Sequence, residues 1–140
     1  MQQLDPDKIQ QVDTGKFTFN KSLNAIFLEE LFEGDTIYAE TIFEDFLRDL
    51  PDYWSSVETA YKRNDIAELS TAIHKCKTLF GYVGFTDIQE FCQEFENNCA
   101  RKPVHALEVG YLVLSQKKET ARLIIESEYN RLKLFNTDKR

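Results

Sequence analysis

Apolar residues return at alternating steps of three and four along most of this chain, with polar or charged residues between them. That period belongs to amphipathic α-helices, and five segments carry it. The first is short, from Leu23 to Phe32, with Ser22 as its cap; Leu23, Ile26, Phe27 and Leu31 form the inner face and Gly34 ends it. The second starts at Asp35 or Thr36 and runs to about Arg63, carrying Tyr38, Ile42, Phe46, Leu50, Tyr53, Val57 and Ala60. Pro51 falls inside it and predicts a kink or a break near Leu47–Leu50. The apolar phase continues past Pro51 through Trp54 and Val57, which favours a kink.

The third segment opens after Asp65, a good cap, and meets no glycine before Gly81. Ile66, Leu69, Ile73, Cys76, Phe80 and Val83 make its stripe. His74 points away from that stripe, with Ser70 and Thr71 one turn before it, and Lys77 and Thr78 one turn after. Thr86-x-x-Gln89 reads as a capping box for the fourth helix, which runs to about Ala100 and buries Ile88, Phe91, Cys92, Phe95 and Cys99. After Lys102-Pro103 a last helix extends from Val104 to about Phe135 on Leu107, Tyr111, Leu114, Ala121, Ile125 and Leu132, leaving NTDKR frayed. Long amphipathic helices joined by short loops predict an all-α fold, an antiparallel four-helix bundle with an additional short N-terminal helix. The polar stretch 1–20 reads as a loosely ordered tail, and 21–140 as the bundle.

Composition narrows this picture. Residues of the hydrophobic class make up 42% and aromatic residues 13%, enough for a sizeable core in one domain of 140 residues. Five Gly and three Pro are too few for a turn-rich sandwich or barrel. A formal net charge of −7 disfavours nucleic acid as a partner. No apolar run reaches membrane-spanning length, and the N-terminus lacks a signal pattern, so a cytoplasmic protein without membrane association is expected. Cys76, Cys92 and Cys99 fall on helical stripes, an odd number that fits a reducing compartment.

The candidate chemistry gathers at His74. An imidazole on the wet face of a helix is a nucleophile that a large partner can reach, and Lys77 one turn on stands where an incoming anion would meet a cation. The text HKCKTLFGYVG followed by FTDIQEFCQEFEN resembles the histidine-containing phosphotransfer (HPt) domain family, whose pattern is His-x-x-Lys-Gly, a further glycine about ten residues after the histidine, and a helix with Leu-x-x-x-Cys-x-x-Leu-Glu. His74, Lys77 and Gly84 fit that pattern, as do Ile88, Cys92, Phe95 and Glu96. Thr78 departs from it, standing where the family has glycine, and Gly81 lies a turn further on. Upstream, the stretch beginning FNKSLNAIFLEELFEG resembles the first two helices of the family, so the likeness spans roughly Phe19 to Arg101.

The resemblance implies a phosphoryl carrier rather than an enzyme with its own turnover. His74 takes and gives the phosphoryl group, Lys77 offsets its charge, and Thr78, Gly81 and Gly84 shape the approach. It implies receiver domains of a hybrid histidine kinase or response regulator as partners, with the required Mg²⁺ on the receiver and no cofactor on this chain, which is expected to act as a monomer. Phosphoryl transfer asks mainly for positioning and charge neutralisation, which such a site supplies. Ile37, Thr41, Tyr82 and Phe85 are candidates for an apolar rim around the histidine where a receiver docks. The competing reading is a scaffold that docks a receiver or kinase domain without being phosphorylated. Cys92, Cys99 and His105 match no common zinc spacing and read more simply as buried thiols and a surface histidine; Ser70 and Thr71 lack the further groups that nucleophilic catalysis needs.

Overall fold

A computed structural model describes residues 15–139. The described residues form five α-helices and two short 3₁₀ turns, with no strand among them. The helices are α1 (Ala25–Phe32), α2 (Thr36–Lys62), α3 (Ile66–Tyr82), α4 (Thr86–Cys99) and α5 (Glu108–Phe135); the 3₁₀ turns are Val104–Leu107 and Thr137–Lys139. The second to fifth helices make the antiparallel bundle that the periodicity predicts, and α1 is the additional short helix. α3 packs extensively against both α2 and α4, while α5 closes the bundle mainly against α2 and less extensively against α4.

Asp35 and Asp65 cap α2 and α3, each carboxylate accepting a backbone N–H three residues on, from Tyr38 at 2.9 Å and Glu68 at 3.1 Å. The predicted stripe of α3 is buried from Leu69 through Val83, with Ile66 packed at its edge. α2 passes through Pro51 without a break, because the ring lies on the exposed side and only one backbone donor is lost. Its buried positions are Ala39, Phe43, Phe46, Leu50, Trp54, Val57 and Ala60, so Tyr38 and Tyr53 face outward instead of inward.

Three local expectations change. α1 buries Leu28 and Phe32, leaving Ile26, Phe27 and Leu31 on the outside. Glu29, Glu30 and Glu33 give this short helix a polar side, but apolar residues cover the rest of its circumference, and tertiary bonds set which of them turn inward. Asn24, not Ser22, is the cap, and its own N–H donates to the Gly84 carbonyl at 2.8 Å. The Thr86-x-x-Gln89 capping box does not form. Phe85 occupies the cap position without a side-chain bond, while the Thr86 hydroxyl accepts from Asn24 Nδ2 at 3.2 Å. Both ends of the described stretch are tighter than their polarity suggests. Phe17 and Phe19 are buried against Phe135, Phe32 and Phe43, so the end of the stretch expected to be loose is part of the core; residues 1–14 lie outside the described residues. Asn136, placed in the frayed tail, is fully buried and bonds Thr36 and Glu40.

Candidate functional site

His74 sits midway along α3, on the face opposite Ile73 and Cys76, and its side chain is 60% exposed. The helix places it there because the core takes Leu69, Ile73, Cys76 and Phe80, which leaves His74 on the other side. α4 lies alongside, and its Glu96 carboxylate approaches the ring, with Oε1 3.1 Å and Oε2 3.3 Å from Nδ1. A carboxylate only accepts, so Nδ1 carries the proton and donates. Nε2 has no hydrogen-bond partner among the described residues and keeps its lone pair toward solvent when the ring is neutral. The arrangement holds the ring through Nδ1.

Lys77 lies beside the histidine as the spacing predicts, but its ammonium is not open to an incoming anion. The side chain is only 16% exposed. Nζ donates to Gln93 Oε1 at 2.6 Å and pairs with Glu96 Oε1 at 3.3 Å. Gln93 in turn donates to Asn97 at 3.0 Å. Glu96 is thus shared between His74 and Lys77, and a row of α4 side chains, Gln93, Glu96 and Asn97, organises the site. Sequence reasoning placed Glu96 only as a residue matching a pattern and gave Gln93 no role. The available signal was their place next to the buried Cys92 and Phe95, on the flank of α4 that meets α3.

Thr78 is exposed one turn after His74, and its hydroxyl turns back to the His74 carbonyl at 3.4 Å, a weak bond. Gly81 is covered by Gln89, whose amide lies 2.6 Å from where a Cβ would stand. Gly84 turns the chain with φ +88°, as expected, but is buried against α1 and lines no approach to the histidine; a Cβ there would lie 2.9 Å from Leu28 Cδ1.

The proposed rim is only partly outside. Phe85 is buried, edge-on to Phe80, and cannot touch a partner; as the residue entering α4 it is drawn inward by the closing turn. Tyr82 is 56% exposed and Ile37 40%, and Thr41 is exposed too. They do not encircle His74. Phe46 of α2 faces Phe80 of α3 at 5.8 Å between ring centroids, so Ile37 and Thr41 lie beyond that level, further down the bundle. Cys76 and Cys92 are fully buried, and burial pushes each thiol up to about 12, which leaves them protonated and unreactive near neutral pH.

A family model described as the Hpt domain matches residues 41–128, well over half of the chain and enclosing His74, Lys77 and Glu96. Among solved structures the chain is similar to the HPt domain of an Hpt sensor hybrid histidine kinase from Shewanella, at 25% identity and a TM-score of 0.69, over 79% of this chain and 95% of that one. No curated protein matches it. The matched span holds the exposed His74 of α3, and the chain belongs to the Hpt domain family.

Proposed function

We propose that this protein relays a phosphoryl group between receiver-domain aspartates through Nε2 of His74. Membership of the Hpt family gives it a phosphotransfer role in two-component signalling; the donor, the acceptor and the reacting nitrogen are our reading. The observation that carries it is the exposed imidazole with Nδ1–H held by Glu96 and Nε2 without a partner. In the forward step the Nε2 lone pair attacks phosphorus, the N–P bond forms, the acyl O–P bond breaks, and the aspartate leaves as a free carboxylate. The ring then carries positive charge with its proton still on Nδ1, and the Glu96 carboxylate stabilises that charge where it develops. The return step reverses these changes. The Mg²⁺ that receivers use stays on the partner and needs no ligand here.

The docking face in this reading runs from His74 past Thr78 and Tyr82 toward Ile37 and Thr41, continuing onto the outward apolar residues of α1, Ile26, Phe27 and Leu31. α1 is fastened to the α3–α4 turn through Asn24 and so lies at that end of the bundle. The engaged state of Lys77 is the feature that favours the scaffold alternative. Incubation with a phosphorylated receiver separates the two. The carrier takes up an acid-labile, base-stable label that His74→Gln abolishes. Stable docking without label overturns the carrier reading.

A further inference from the structure

We infer that Lys75, rather than Lys77, is the cation that meets the phosphoryl group at His74, and that Lys77 is a positioning residue acting through Glu96. The inference rests on His74 being the carrier. Lys75 follows the histidine on α3, is exposed, and lines the same shallow depression of about 290 Å³ as Ser70, Thr71, His74 and Glu96. Its ammonium has no hydrogen bond or ion pair among the described residues. Lys77 is absent from that lining, and its ammonium is taken by Gln93 and Glu96.

Charge decides between them. An arriving phosphoryl group that is drawn to Lys77 Nζ is repelled by Glu96, whose oxygen is 3.3 Å from it, so the pair presents little net charge. Freeing Lys77 would break its bond to Gln93 and its pairing with Glu96, and would loosen the carboxylate that holds the imidazole. Lys75 keeps its whole charge on a flexible four-carbon stem and moves without breaking any bond. The chain as a whole repels an anion, with a formal net charge of −7, so an unpaired cation beside the nucleophile is the local exception.

The test uses phosphoramidate, a small donor that needs no receiver: the P–N bond to its nitrogen breaks, ammonia leaves, and the phosphoryl group moves to His74. The parent protein, Lys75→Ala, Lys75→Arg and Lys77→Ala are compared by labelling rate, by ³¹P NMR titration of the phosphohistidine, and by ¹⁵N signals of the ring. Lys75→Ala is expected to slow labelling about fivefold and to raise the ionisation midpoint of the bound phosphoryl group by about half a pH unit, with the ring nitrogen signals unchanged. Lys75→Arg restores both. Lys77→Ala moves the ring signals and leaves the phosphoryl midpoint within about 0.2 units of the parent. A larger midpoint shift in Lys77→Ala than in Lys75→Ala overturns the inference, as does a Lys75→Ala protein that behaves like the parent. Failure of His74 to take the small donor overturns it outright. A protein that shows the expected shifts but takes no label from a phosphorylated receiver supports the inference and defeats the receiver relay instead.

Discussion

His74 and Glu96 stand 22 positions apart and share one proton-bearing contact. A ring free to flip would present Nδ1 or Nε2 to a partner in turn, and only one of them points outward in this pose. Removing the carboxylate therefore costs orientation and the stabilisation of positive charge on the ring. Glu96→Ala is expected to lower the phosphotransfer rate about tenfold or more, the loss of one charge-assisted hydrogen bond, while Glu96→Gln keeps an acceptor and loses less. Single-turnover transfer from a phosphorylated receiver, with ring ¹⁵N spectra of each variant, checks this; an unchanged rate in Glu96→Ala refutes the assigned role. The histidine was legible in the sequence because one helix displays it. Its carboxylate was not, because the pairing depends on how α4 is rotated against α3.

At the scale of elements, the α3–α4 turn carries most of the local constraint. Gly84 has φ +88°, and a Cβ there would lie 2.9 Å from Leu28 Cδ1 and 3.3 Å from the Asn24 backbone nitrogen. Gly84→Ala is expected to destabilise the protein by about 2 kcal/mol or more, since a left-handed conformation adds to a clash with the buried Leu28 side chain and a tight approach to the Asn24 backbone. Gly81→Ala meets only the far end of the Gln89 side chain, which can swing aside, and the helix gains from alanine; its effect is expected within about 1 kcal/mol of zero. Urea denaturation of the two variants measures the contrast, and equal losses would show that the turn is not the constraint. The same turn explains why the inner face of α1 escaped sequence reasoning. Away from Glu29 and Glu30, α1 is apolar all round, so its sequence leaves the inner face open, and Gly84 leaves the space into which Leu28 fits. α2 shows the opposite case, where the apolar period was strong enough to carry the helix through Pro51.

Across the whole molecule, distant pieces of chain are joined by a few buried polar groups. Glu128 on α5 is fully buried, yet it accepts from the Asn20 backbone N–H at 2.9 Å and pairs with Arg131. Arg131 also donates to the Thr18 carbonyl at 2.9 Å and lies over the Phe17 ring. The segment before α1 is thereby strapped to the last helix. Glu128→Ala leaves the Asn20 donor and Arg131 without their acceptor and is expected to cost about 2 kcal/mol, softened because Arg131 is partly exposed. Hydrogen exchange is expected to quicken at residues 17–20 before the bundle helices respond; uniform protection across the chain would show that the strap does not depend on Glu128. At the other end Asn136 joins α5 to the start of α2 in the same manner.

Periodicity by itself determined the helices, their order and the outward placement of His74, because each depends on residues within a few turns of one another. Motif spacing added the family. Tertiary structure alone decided what surrounds the histidine: that Lys77 is matched to Glu96 and Gln93, that Phe85 turns inward, and that Phe17 and Phe19 enter the core. Those outcomes depend on the rotation and offset of one helix against the next. Such packing sums contacts between residues far apart in the chain, and a one-dimensional pattern does not encode it.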